Sequence, residues 1–140
     1  MKRNMKKMIA TALTTGALLS MSSLSVFAAG NYKDTYFTNF IITSSTNYTT
    51  ARQKLDKTSA TVKLSKAATP VVVRVYGLKS SKGAKVNRTY GTPKVVGVSN
   101  SYTYLPNLVG EKGDSWAALG FTRSGVQNVI ISGAWSPDSI

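Results

Sequence analysis

The sequence predicts an all-β protein, a compact antiparallel β-sandwich or small closed barrel of about seven or eight short strands. Three observations support this. Segments rich in β-branched and aromatic residues recur along the chain, turn-forming Gly, Pro and Asn separate them, and helical periodicity is almost absent. The best helical candidate, residues 50–56, is short, and an extended conformation competes well with it. A fold that alternates helices with strands is therefore not expected.

The first two predicted strands differ in pattern. Residues 36–43 are mostly β-branched or aromatic, as in many strands. Residues 59–64 alternate between apolar and polar side chains, so that Ala60, Val62 and Leu64 share one face. We expect these three side chains to lie in the core, with Thr61 and Lys63 on the opposite face.

The third strand is predicted at residues 71–76, directly after Pro70. Proline is tolerated at the start of a strand but not in its middle, because it has no amide hydrogen to donate. The alternation predicts an inward set and an outward set: Val71, Val73 and Val75 inward, Arg74 and Tyr76 outward.

The rest of the chain continues the same pattern. Gly77 begins a polar loop that extends to Lys85. Further strand-forming segments follow at residues 86–90, 93–98, 101–105, 115–121 and 128–135. A Gly-flanked turn is predicted at residues 110–114.

The first 28 residues have the pattern of a secretory signal peptide. A basic start is followed by an apolar stretch, and Val26 and Ala28 have the sizes that signal peptidase accepts, which places the cut between Ala28 and Ala29. Thr, Ser and Gly interrupt the apolar stretch, and this argues against a membrane anchor. We therefore expect one domain at residues 29–140 that is secreted to the extracellular side, and the long Lys-rich start indicates a Gram-positive cell. Association with the cell wall is an alternative to release into the medium.

Composition excludes several chemistries. The 140 residues contain no Cys and no His, so disulfides, thiolate zinc sites, Cys nucleophiles and Ser–His–Asp triads are ruled out. The near pair Glu111 and Asp114 falls in the 110–114 turn, where we expect both carboxylates to be exposed and to behave as ordinary surface acids. The sequence therefore predicts a protein without enzymatic activity, cofactor or metal.

A basic cluster is the first candidate binding feature. Five cationic side chains fall within 16 residues that contain no acid: Lys79, Lys82, Lys85, Arg88 and Lys94. One interpretation is a solvated loop that keeps the protein soluble. The other is electrostatic attraction to an anionic cell-wall polymer or membrane surface, with nucleic acid a much less available partner outside the cell.

The aromatic residues give a second candidate. Tyr102 and Tyr104 are two residues apart and share one face of a strand, so they form either part of the core or an aromatic surface able to bind carbohydrate. Trp116 and Trp135 lie in apolar segments, where core packing is the commoner role. For Trp135 we expect the ring to close one end of the core. Pro137 then ends the strand, although a terminal receptor-docking motif is an alternative.

Three short motifs carry a resemblance: IISGAWSPDS at 130–139, YLP at 104–106 and GDSWAAL at 113–119. With them the chain resembles an uncharacterised family of small secreted Gram-positive proteins. That family is distantly similar to the lactococcin-type bacteriocins, which are cationic β-sandwich proteins that interfere with cell-wall synthesis. The resemblance implies a β-sandwich and a bacteriocin-like antagonist of related bacteria. The residues themselves favour a different function, a small secreted cationic protein that associates with the anionic cell envelope.

Overall fold

A computed structural model describes residues 30–140, which form ten strands in two antiparallel sheets. The predicted signal peptide and its cleavage between Ala28 and Ala29 lie outside the described residues. The first sheet has four strands, in the spatial order β1 (Thr35–Ile42), β10 (Val129–Ser136), β4 (Ala60–Lys66) and β8 (Thr103–Leu105).

The second sheet is built around two long central strands, β5 (Val71–Leu78) and β9 (Trp116–Arg123). Four short strands pair with them. On the β9 side are β2 (Asn47–Tyr48) and β3 (Arg52–Gln53); on the β5 side are β6 (Val86–Asn87) and β7 (Lys94–Val96).

The all-β, two-sheet prediction is confirmed, and the closed-barrel alternative is wrong. Within residues 30–140, no strand ladder joins β1 or β8 to the second sheet, so each sheet keeps its own edges. The strand number is ten rather than seven or eight, because the two-residue strands β2 and β3 come from the segment between residues 43 and 59. Residues 52–53 of the candidate helix are extended and pair with β9.

Several strands begin or end at residues other than those predicted. In each case the strand extends only as far as the pairing that involves β5. Gly77 and Leu78 belong to β5 rather than to the loop, because they pair with Ala117 and Trp116 of β9. The segments predicted at 86–90 and 93–98 shorten to two and three residues. Each contacts only one part of β5, and the chain leaves the sheet between them.

The core lies between the sheets and contains the side chains predicted to face inward. Ala60, Val62 and Leu64 of β4 are fully buried. Val71, Val73 and Val75 of β5 are buried opposite them. Burial of the Val and Leu side chains contributes roughly 1.5–3 kcal/mol each, before the entropy cost of ordering them.

A bulge in β1 brings two aromatic rings to this core. Asn39 adopts a φ of 50°, in the left-handed region that Asn tolerates, and the register with β10 shifts between Phe37 and Phe40. Without the shift, two residues three apart would face opposite sides of the strand. With it, Phe37 and Phe40 both contact Phe121 of the second sheet, at ring-centroid distances of 5.6 and 5.9 Å.

Candidate functional site

The C-terminal motif ends in a buried ion pair. Lys54 lies just after β3 and Asp138 just after β10, and neither side chain is exposed. Lys54 Nζ donates to Asp138 Oδ1 at 2.7 Å and to the carbonyls of Thr58 and Pro137, also at 2.7 Å. An ammonium group has three protons, and this arrangement provides an acceptor for each.

The second oxygen of Asp138 ties down two more segments. Asp138 Oδ2 accepts hydrogen bonds from the backbone amides of Asn31 at 2.6 Å and Leu55 at 3.0 Å. The Trp135 ring is 1% exposed and lies in the core beside this network. The structure therefore supports the structural account of this terminus, because Asp138 has no exposed atom to offer a receptor.

The fold gives the basic cluster an acid that the local sequence lacks. Lys79 Nζ lies 3.0 Å from Asp114 Oδ1, and Arg88 Nε lies 2.6 Å from Asp114 Oδ2. Gly77 leaves the room for this arrangement, since a Cβ there would lie 2.2 Å from Asp114 Oδ2 and 2.8 Å from Arg88 Cγ. Two of the five predicted binding cations thus form a compact ion-pair triad with Asp114.

The expectation that Asp114 is an exposed surface acid is wrong. Its side chain is 2% exposed, while Glu111 in the same turn is exposed. Burial alone would raise the pKa of Asp114, but the hydrogen bonds from Arg88 and Lys79 outweigh it and leave the pKa below its ordinary value. The physical reason is that the turn folds back against the end of β5, with the Asp114 amide donating to the Val109 carbonyl.

The other three cluster residues lie in different surroundings. Lys85 Nζ lies 5.0 Å from the centroid of the Tyr48 ring, a cation–π contact on the second sheet. Lys82 is exposed in the loop between β5 and β6, and Lys94 is exposed on β7 opposite Val73. The five cations therefore do not form a single cluster of free charges.

Tyr102 and Tyr104 are both exposed, at 38% and 56%, on the outer face of the first sheet. The Tyr102 hydroxyl donates to Asp34, and this hydrogen bond, with burial and the carboxylate charge, raises the pKa of Tyr102 to about 12. Lys63 Nζ lies 4.7 Å from the Tyr102 ring centroid. Both tyrosines selected in the sequence analysis are thus exposed on this face. Trp135 lies in the core and Trp116 is partly buried.

Two cavities open on this outer face. One has a volume of about 220 Å³, and its lining includes Tyr102, Tyr104, Asp34 and Thr61. The other has a volume of about 130 Å³, and its lining includes Tyr36 and Lys63. Sequence reasoning missed Tyr36, which is 77% exposed, because residues 36–43 carry apolar or aromatic side chains on both faces and show no alternation.

Residues 30–140 contain no group of three or more acidic side chains positioned to hold a metal ion. None of the described segments forms a helix long and apolar enough to cross a membrane. The described part of the chain also contains no buried side-chain polar atom without a hydrogen-bond partner.

Comparison with known proteins identifies the family. The profile described as "Protein of unknown function (DUF2712)" matches residues 24–139. The chain belongs to this family. The DUF2712 match contains all ten strands, the buried ion pair and the Asp114 triad. Searches of the curated proteins and of the solved structures gave no match.

Proposed function

We propose that this protein is a small secreted, non-enzymatic cationic protein that associates with the anionic envelope of a Gram-positive cell. The observation that carries the proposal is its charge distribution. Four of the 18 basic residues precede residue 30, so the described chain holds 14 basic and 5 acidic side chains, a formal charge of +9. A surplus of this size attracts anionic polymers through a long-range field.

Ion pairs within the protein neutralise only a few of these basic side chains. Lys54, Lys79 and Arg88 are the cations that lie within 4 Å of a carboxylate in residues 30–140. The remaining 11 basic side chains of this region have no such partner, and Lys82, Lys85 and Lys94 are exposed among them. The exposed ammonium groups of Lys82, Lys85 and Lys94 can pair with phosphate or carboxylate groups of a wall polymer.

The acidic side chains support the non-enzymatic part of the proposal. A general acid with a raised pKa and a facing carboxylate is the usual requirement for glycoside hydrolysis. Asp114 is held by two cations with a lowered pKa, and Asp138 is fully buried in its ion pair. Neither carboxylate has the environment of a catalytic acid.

Binding to isolated Gram-positive walls across a salt series tests this function. We expect the purified protein to sediment with intact walls at low salt, to be released as salt rises, and to bind poorly to walls stripped of teichoic acid. Absence of binding at low salt, or binding that salt does not weaken, would contradict the proposal.

A pair of charge-matched variants separates the basic cluster from net charge. The first replaces the free cluster cations with Gln at Lys82, Lys85 and Lys94. The second replaces three exposed lysines elsewhere with Gln: Lys33, Lys57 and Lys66. Greater loss of wall binding in the first variant assigns the contact to the cluster, and equal loss assigns it to net charge.

Mass spectrometry of the protein from the culture medium tests secretion and the cut between Ala28 and Ala29.

A bacteriocin-like antagonist is the second candidate function. The observation in its favour is the two-layer β architecture, which the resemblance to lactococcin-type proteins implies. Purified protein added to a panel of related Gram-positive strains is the direct test. Inhibition at micromolar concentration would favour this candidate, and normal growth of every strain would count against it.

A further inference from the structure

The outer face of the first sheet is shaped as a trough. Its outward-facing floor on the central strand β10 carries small side chains, Ser132, Ala134 and Ser136. Larger aromatic side chains stand on both sides, with Tyr36 on β1, Tyr104 on β8 and Tyr102 directly before it. We call this surface the tyrosine trough. Three inter-strand spacings separate its edge strands, or about 14 Å.

The strand register explains why the floor is low. Tyr36 pairs with Ala134, and Ala134 pairs with Lys63. The large side chains of Tyr36 and Lys63 therefore flank the small side chain of Ala134. One row along, Ser136 pairs with Thr61, which pairs with Tyr104. Ala134 and Ser136 face outward yet are only 2% and 3% exposed.

A hydrogen bond crosses the trough. Asp34 precedes β1 and Tyr102 precedes β8, so the bond between them reaches from one edge of the sheet to the other. The cavities of about 220 and 130 Å³ lie on the two sides of this crossing. The trough therefore contains two neighbouring concave sites on a single face rather than one closed pocket.

The side chains of the trough match the chemistry of a sugar. A pyranose ring has an apolar C–H face, which packs against the negative face of an aromatic ring, and a rim of hydroxyl groups that donate and accept hydrogen bonds. Exposed Tyr36 and Tyr104 provide ring faces. Ser132 and Asp34 provide a hydroxyl and a carboxylate partner within the two linings.

We propose that the tyrosine trough binds a neutral glycan chain, with sugar residues occupying both cavities. The charge of the trough argues for a neutral ligand, because Asp34 and Lys63 lie in neighbouring linings and give it no single sign. The site is separate from the exposed cluster cations of β7 and the β5–β6 loop, which belong to the other sheet. Glycan binding at the tyrosine trough is a function additional to charge-driven envelope association, and it does not depend on that association.

Titration with soluble neutral oligosaccharides, chitohexaose and cellohexaose among a panel of neutral hexasaccharides, tests the proposal. We expect binding to persist at about 1 M salt, because salt screens interactions between charges and leaves stacking contacts unaffected. The combined change Tyr36→Ala and Tyr104→Ala should weaken binding about tenfold or more, because each removes an exposed ring face. Both side chains are exposed, so the variant is expected to fold.

Tyr90→Ala is the matched control, since Tyr90 is 64% exposed but lies between β6 and β7, away from the trough. It should bind like the unchanged protein. Failure of every neutral oligosaccharide to bind at millimolar concentration, or equal loss in the Tyr90 variant, would overturn the glycan assignment.

Discussion

Two ion-pair clusters at different places in the sandwich use the same chemistry in different surroundings. In the C-terminal cluster, Lys54 and Asp138 are both fully buried. In the turn cluster, Asp114 is buried, but Arg88 is 22% exposed and Lys79 is 68% exposed. Water therefore reaches the cations of the second cluster and not those of the first.

Burial and hydrogen bonding, rather than distance alone, determine how much each ion pair contributes to the free energy of unfolding. The Arg88–Asp114 distance of 2.6 Å and the Lys54–Asp138 distance of 2.7 Å are nearly equal. Removing a partner from a buried pair leaves a charge without water to solvate it, whereas an exposed partner is replaced by solvent. The two clusters should accordingly respond very differently to the same substitution.

Lys54→Met should have the largest effect. It leaves Asp138 as a buried, uncompensated carboxylate and removes three hydrogen bonds, so we expect the free energy of unfolding to fall by about 3–5 kcal/mol. Urea denaturation measures this. Lys82→Met, an exposed lysine, is the control and should change stability by less than about 0.5 kcal/mol. A loss below about 1 kcal/mol for Lys54→Met would show that the buried pair is not what holds this end together.

The double variant Lys54→Met, Asp138→Leu sharpens the same point. Because it removes both charges together, it should be more stable than either single variant, although Asn31 and Leu55 lose an acceptor for their amides. A double variant whose loss equals the sum of the two single losses would mean that Lys54 and Asp138 act independently.

Arg88→Met should have an intermediate effect. It removes a charge-assisted hydrogen bond to a buried carboxylate, but Lys79 remains beside Asp114, so we expect a loss of about 1.5–3 kcal/mol in urea denaturation. An effect as large as that of Lys54→Met would show that Lys79 gives Asp114 no effective compensation.

Lys79→Met should have a small effect, between zero and about 1 kcal/mol, because the side chain is largely exposed. The loss should shrink further as salt is added, since exposed pairs are screened. Urea denaturation at low and high salt tests this, and a large, salt-independent loss would place Lys79 in the same class as Lys54.

The pKa of Asp114 predicts how acid affects the turn cluster. The pKa in the folded protein is below the ordinary value, so the unfolded chain takes up the proton first as the pH falls. The stabilisation is present above the unfolded pKa of about 3.9 and is lost as the pH falls through the folded pKa. Stability measured between pH 5 and 2 should decline less steeply in Asp114→Asn, and identical slopes would contradict the prediction.

Tyr102 gives the opposite dependence at high pH, with the smallest effect. Its pKa is about 12 when folded, against 10.0 for the ordinary group, so the folded protein retains the proton longer. The stabilisation is complete below pH 10.0 and is lost as the pH rises through about 12. Ultraviolet titration should show a late-ionising tyrosinate that is absent in Tyr102→Phe. An unchanged titration curve in that variant would refute the assignment.

The periodicity of the sequence was sufficient to predict the fold class and most of the core. Side-chain direction alternates along a strand, so the pattern of Ala60, Val62 and Leu64 and that of Val71, Val73 and Val75 predicted their burial directly. The two-residue strands β2 and β3 were not predicted, because segments so short carry no period.

The candidate sites divide in the same way. Exposure of Tyr102 and Tyr104 followed from one of the two interpretations of their spacing. Tyr36 joins them only through the pairing of β1 with β10, of β10 with β4 and of β4 with β8. The basic cluster is acid-free along the chain, yet Asp114 reaches Lys79 and Arg88 from 35 and 26 positions away.

Properties that depend on composition or on neighbours along the chain could therefore be predicted from the sequence: strand periodicity, most turn positions, the surplus of positive charge and the absence of Cys and His chemistry. The tertiary structure was needed to show which distant residues meet. Lys54 and Asp138 are 84 residues apart, and their contact exists because β3 and β10 end beside each other in different sheets. Local patterns record which way a side chain points, whereas its partner is fixed by the order and register of the strands.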